Sequence, residues 1–393
     1  RSVRRFGLSY TLFEKQTMKS ARLLCVGLCA ALISCTATNS RGDVKLPTIL
    51  DSHMVLQRNV PLNIWGWADA GEKITVSMGN EAKATVAAKD GTWKVSLSAQ
   101  KADGKARTIT ISGNNTIELK DVLIGEVWVG SGQSNMEWAL SNTQGSAEAI
   151  ADADHPMIRL FHVPKVQNKG PATDVKADWK VCTPENVPRF SAVLYYFGLK
   201  LQKELNVPVG LINSSWGGSP IEPWTIANGT SGGMYNGMIA PIVQYPCQGV
   251  IWYQGETNVL KKNGLAYENK MKDLIKGWRK AFQNPELAFY FVQIAPWSGR
   301  YEDGELPKLW EAQAATLKVR GTGMAVTTDL VDNIADIHPR NKLDVGNRLA
   351  LWALAKTYKK QGTTYSGPLY KSIAIEGNKV RVSFAHTAEG LRS

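Results

Sequence analysis

Residues 125–138 read GEVWVGSGQSNMEW. A short apolar strand ends in a Ser-Gly step, and a helix-like segment begins within a few residues. Strand, tight turn and helix start, in that order, form the repeating unit of a parallel sheet covered by helices. Ser134 stands at the junction. A serine that opens a helix is commonly an N-cap. A serine whose proton a neighbouring base removes is a nucleophile, and the first N–H groups of a helix suit a developing oxyanion. The stretch is not the G-x-S-x-G elbow, because Met136 stands two residues after the serine.

Downstream the same grammar repeats. MIRLFHV (157–163), VPVGLINSS (207–215), QGVIWYQ (248–254), LAFYFVQIAPW (287–297) and TGMAVTTDL (322–330) read as strands. Residues 136–152, 190–205, 234–245, 265–283, 306–319 and 340–360 read as helices. Strand–helix alternation predicts an α/β domain over 121–365, with helices on both faces of a parallel sheet. Functional groups in such sheets gather beyond the carboxyl ends of the strands. Upstream, KITVSMGNEAKATVAA (73–88), AAKDGTWKVSL (87–97) and ARTITISGNNTIELKDV (106–122) alternate apolar and polar residues around turn residues. That pattern predicts a small all-β, sandwich-like domain over 42–120. SIAIEGNKVRVSF (372–384) turns to β again. Residues 366–393 are expected to begin a β-rich segment whose remaining strands are missing, because one or two isolated strands are poorly stable.

The chain has 393 residues and a net charge of +12. Residues 1–41 hold seven Lys and Arg against Glu14 alone, a net +6, so half of the excess lies ahead of the body. The body carries no basic run with interleaved aromatics, which argues against a nucleic-acid partner. Met18-Lys19-Ser20-Ala21-Arg22 followed by LLCVGLCAALIS (23–34) reads as an export signal, with residues 1–17 upstream of its start. LISC (32–35) resembles a lipobox, making Cys35 a candidate lipid anchor; ordinary cleavage shortly afterwards is the alternative. Either places the protein outside the cytoplasm, in the periplasm or on a membrane. Cys25 and Cys29 would leave with the signal. Cys182 and Cys247 then either pair in an oxidising compartment or stay as buried thiols. No C-x-x-C pair is present, and no metal site is expected.

Three further loops carry chemistry. In DNIADIHPRNK (332–342), His338 follows a strand, and Pro339 biases it toward extended backbone. Asp336 and Asp332 are candidates to orient its ring. NSSWGGSPIEPW (213–224) offers Gly217 and Gly218, whose backbone can approach a ligand closely. WYQGETN (252–258) offers the amides of Gln254 and Asn258, with Glu256 between them. Neutral donors of this kind stabilise an oxyanion without a charge. Gln133 and Asn135 flank the serine and are candidates to shape the same site. Trp138, Trp216, Trp224, Trp252 and Trp297 lie in or near these loops. Aromatic faces suit a sugar ring, although Trp252, inside a strand, reads as core.

GQSNM, WGGSPIEPW, WYQGETN and DIHPRNK together resemble the motif set of the sialate O-acetylesterases, carbohydrate esterases of the SGNH-hydrolase superfamily. The resemblance spans about residues 44–393. It implies a three-layer α/β/α esterase domain without metal or organic cofactor, Ser134 as nucleophile and His338 as general base. Two positions depart from the superfamily pattern. Ala335 stands three residues before the histidine, where an Asp is usual, which leaves Asp336, backbone or Glu256 to support His338. The usual Asn of the third block has rival matches in Gln254 and Asn258, of which Gln254 is favoured. The implied substrate is an acetylated sugar: O-acetylated sialic acid first, acetylated xylan or another plant glycan as the alternative. A surface lipoprotein that binds glycans without hydrolysing them is the reading from a different class.

Overall fold

The computed structural model describes residues 42–387 and 390. The expected signal, the lipobox and Cys35 lie outside the described residues. Seven strands come first: β1 (Val55–Gln57), β2 (Leu62–Trp67), β3 (Lys73–Met78), β4 (Glu81–Val86), β5 (Thr92–Leu97), β6 (Arg107–Ser112) and β7 (Thr116–Gly132). The Gly79–Asn80 step joins β3 to β4, as its turn chemistry predicts. β3, β4, β6 and the first part of β7 form an antiparallel ladder, and β2 pairs with β5. β7 then continues unbroken into a parallel sheet. The boundary expected at 120–121 therefore falls inside a strand, and the described residues belong to one compact unit.

The parallel sheet uses β8 (His155–His162), β10 (Val209–Ser215), β13 (Gly249–Tyr253), β14 (Ala288–Val292) and β15 (Thr322–Ala325), in the order β15-β14-β13-β7-β10-β8. A short strand absent from the sequence reading, β9 (Trp179–Cys182), adds antiparallel at the edge. β10, β13 and β14 are buried along their whole length, as a sheet covered on both faces requires. The strand register places Trp128 and Trp252 on opposite faces. Trp128 packs on Phe197 of α3 (Ala192–Leu205), and Trp252 packs on Trp278 of α5 (Tyr267–Ala281). Trp252 is thus core, and so is the equally buried Trp224. α6 (Glu305–Thr316) lies beside α5, and α7 (Lys342–Trp352) beside α3.

Two helices expected from periodicity break up. Residues 136–152 become α1 (Ser134–Glu137), a 3₁₀ turn and α2 (Ser146–Ala151). Trp138 and Ala139 turn extended so that Ala139 can bridge to Ser191, and Gly145 takes a left-handed φ of 70°. Residues 234–245 become a π turn followed by a 3₁₀ turn at Pro241, where the ring leaves no N–H for an α-helix. α7 likewise relaxes into a π turn at Ala353–Thr357. Cys182 and Cys247 are buried free thiols, not a disulfide, and burial pushes both up to about 12. The small hairpin of β11 (Ile226–Ala227) and β12 (Thr230–Ser231) lies between β10 and β13 in the chain. At the end, β16 (Leu369–Glu376) and β17 (Lys379–Ala385) pair only with each other and leave Ile373, Ile375 and Val380 exposed.

Candidate active site

β7 is the strand from which the chain first goes to β8 and β10 and later, on the other side, to β13, β14 and β15. Loops diverge at such a reversal. Gly132 ends β7 with φ 134°, and a Cβ there would meet the Tyr253 carbonyl oxygen at 2.1 Å, so only glycine fits. The Gln133 N–H donates to that same carbonyl at 2.9 Å. This close approach turns the chain sharply and starts α1 at Ser134. The cap of α1 is Gln133, and the serine hydroxyl caps nothing.

His338 Nε2 lies 2.9 Å from Ser134 Oγ, across 204 residues of chain. His338 is half-buried, and the ring of Trp138 stacks on it at 4.7 Å between centroids with 22° between planes. Burial and the Lys342 charge hold the imidazole below its ordinary 6.5, with Asp336 opposing them. A neutral ring at neutral pH is the form that accepts a proton. Asp336 accepts the His338 backbone N–H at 2.9 Å, and its carboxylate stands 3.5 Å from Nδ1. The structure thus brings Ser134, His338 and Asp336 together. Asp332 is exposed on the loop and makes no bond to the ring.

Gly217 lies against the serine: a Cβ on it would sit 3.5 Å from Ser134 Cβ. Its N–H is already donated, to Glu137 Oε2 at 2.5 Å, and Glu137 is also paired with Lys165. Gly218 has φ 73° and open space around it. Among the described residues neither the Ser134 nor the Gly218 backbone N–H has a partner. Glu137 and Lys165 were missed from the sequence, although Glu137 lies inside the opening stretch; an acidic residue three places after a serine carries no signal of its own.

Five amide and carboxylate candidates are buried. Gln254 Nε2 donates to Gln133 Oε1 at 3.0 Å and to Asn258 Oδ1 at 2.7 Å, and Tyr267 Oη lies 2.7 Å from its Oε1. Asn258 accepts from Ile221 N and donates to Glu222 and Asn263, so it braces loops and offers nothing to a ligand. Gln133 Oε1 also takes the N–H groups of Gly255 and Thr257. Asn135 is fully buried: it donates to Glu256 Oε1 at 2.6 Å and to the Ile337 carbonyl at 3.0 Å. Of these oxyanion and substrate-site candidates, Asn135 and Asn258 turn their polar atoms inward and hold the loops together, and Glu256 does so through Oε1 alone, its buried Oε2 having no partner among the described residues. Glu256 meets Asn135, not His338, and burial raises its carboxyl above the usual range.

Residues 124–355 match the family described as carbohydrate esterase, sialic acid-specific acetylesterase. The chain is 30% identical to human sialate O-acetylesterase over 414 residues, covering 91% of this chain and 79% of that protein. The rat sialate O-acetylesterase is 30% identical over 436 residues, covering 89% and 80%. Among solved structures, a carbohydrate acetylesterase from Xanthomonas citri superposes with a TM-score of 0.83 at 37% identity, over 87% of this chain and 82% of that one. The family match, from residue 124 inside β7 to 355, takes in the parallel strands β8, β10, β13, β14 and β15 and the loops that carry Ser134, Gly217, Gln254 and His338. The chain belongs to the sialic acid-specific acetylesterase family of carbohydrate esterases and is a carboxylic ester hydrolase.

Proposed function

We propose that the protein removes O-acetyl groups from sugars by a serine mechanism, with O-acetylated sialic acid as its substrate. The observation that carries the mechanism is the 2.9 Å contact between His338 Nε2 and Ser134 Oγ at the carboxyl end of β7. Ser134 Oγ attacks the acetyl carbonyl carbon while its proton passes to His338 Nε2. The free N–H groups of Ser134 and Gly218 receive the oxyanion, and Gln254 joins them by giving up one of its present acceptors. The tetrahedral adduct collapses, the sugar oxygen leaves, and His338 returns the proton to it. Water, deprotonated by His338, then attacks the acetyl carbon on Ser134; as this second adduct collapses the bond to Oγ breaks, His338 returns the proton to Oγ, and acetate departs. Trp138 and Trp216, both partly exposed beside the serine, offer apolar faces to the sugar ring. The basic start and apolar run at 18–34 support export of the enzyme.

The test is acetate release from O-acetylated sialic acid compared with acetyl-xylan, for the wild type and Ser134→Ala. Release from the sialic acid that Ser134→Ala abolishes supports the reading. Preference for acetyl-xylan overturns the substrate, and wild-type turnover in Ser134→Ala overturns the nucleophile.

A further inference from the structure

We propose that Lys342 is a positioning residue for His338, acting through a buried bridge with Asn135; this rests on the serine mechanism above. Lys342 is the first residue of α7, and its side chain points inward, fully buried. Its Nζ donates to Asn135 Oδ1 at 2.6 Å and to the Pro339 carbonyl at 2.6 Å. Asn135 in turn holds the Ile337 carbonyl. The two carbonyls flanking His338 are thus gripped from beneath by two side chains bonded to each other. One of the two is the residue directly after Ser134, so a single bridge sets nucleophile and base in one frame.

The aromatic neighbours complete the frame. Lys342 Nζ lies 5.6 Å from the ring centre of Trp138, the residue stacked on His338, and 5.5 Å from that of Tyr253. Cation–π contact of this kind ties the stacking ring to the same ammonium. Glu256 closes the other end through Asn135. An apolar side chain would fill this space with less desolvation. Burial pulls the ammonium down to about 7, with the Glu256 charge opposing that loss. A cation held at such cost, with both its bonds directed at the catalytic loop and the serine helix, is placed for geometry. Lys342 touches neither Ser134 nor the His338 ring through a hydrogen bond, so it acts through its neighbours.

The test uses Lys342→Met, which keeps the stem and removes the ammonium, and Asn135→Ala, which breaks the bridge from the other side. Each is compared with the wild type and Ser134→Ala in kcat and KM on a small acetyl ester and in the rate at which a fluorophosphonate modifies Ser134. Rates are normalised to the folded fraction from circular dichroism. The inference expects kcat and the modification rate to fall together by ten-fold or more, with KM within two-fold. It also expects the double variant to be no slower than the slower single one, as a shared unit requires. If Lys342→Met does not fold, the Asn135→Ala rates decide alone. Wild-type rates per folded molecule in the variants overturn the bridge while leaving Ser134 as nucleophile. A wild-type serine that the reagent does not modify overturns the serine mechanism, and the bridge with it.

Discussion

Asp336 holds His338 by its backbone more firmly than by its ring: the carboxylate takes the main-chain N–H at 2.9 Å and stands 3.5 Å from Nδ1. Its side chain is 44% exposed. A ring contact at that length lies beyond the usual N–H···O hydrogen-bond range. In a fully coupled triad, amidation of the acid costs about 10⁴ in turnover through the wrong tautomer. Asp336→Asn keeps the main-chain acceptor, so the expected loss in kcat/KM is under about ten-fold, against a loss of several powers of ten for His338→Ala. Steady-state kinetics of both variants on one acetyl ester checks this. A loss for Asp336→Asn equal to that for His338→Ala would make the pair a full triad.

The acid side of the rate profile follows from the same ring. In the proposed mechanism His338 is the base only when neutral, and burial together with the Lys342 charge holds it below 6.5. Activity is therefore expected to persist as pH falls through the ordinary histidine range and to decline only beneath it. Asp336 raises the ring's affinity for a proton, so Asp336→Asn should move this limb to still lower pH. The plot of log kcat/KM against pH for the two proteins decides it, and a limb that moves upward would refute the assignment of the limb to His338.

The sheet and the pair Ser134–His338 were legible because both rest on local grammar. Continuous apolar strands, glycine at Gly132 and a histidine before Pro339 announce their geometry within a few residues. The ends of local order were not legible. The helix expected over 136–152 breaks because Ala139 pairs with Ser191, a contact the sequence does not advertise. Asn258 reads as a ligand donor and Asn135 as a neighbour that shapes the site because amides in loops suit either task. Which task they take depends on burial, and burial is set by loops more than a hundred residues apart, as when Asn135 meets Glu256. The boundary expected at 120–121 falls inside β7 because that one strand serves two sheets in succession, changing partners around Asp121, which bends the strand at φ 53° without ending it.

The thiols give an independent check on the packing. Cys182 and Cys247 are both buried, and burial raises each to about 12, so neither is a thiolate at neutral pH. The thiolate is the reactive form. Iodoacetamide at pH 8 is expected to leave both unmodified in native protein and to modify both in denaturant, read by peptide mass. Resistance in denaturant that disappears on reduction would instead reveal a disulfide.

Gln254 and Asn258 lie four residues apart and share one hydrogen bond, yet they should fail differently. Asn258 is bound on every side: it accepts from Ile221 and Gln254 and donates to Glu222 and Asn263. Asn258→Ala leaves several of these buried partners unsatisfied, at about 1–3 kcal/mol for each group. Its main effect is a lower melting temperature. Gln254 Nε2 has acceptors in Gln133, Asn258 and Ser219, more than its two hydrogens can serve at full strength. One hydrogen can turn to an oxyanion while the other keeps the loop. Gln254→Ala is accordingly expected to cost roughly 10²–10³ in kcat, the usual loss for one oxyanion donor, with KM little changed. Thermal melts and kcat measured on both variants separate the two tasks. Equal losses of turnover per folded molecule would mean that Gln254, like Asn258, only braces the loop.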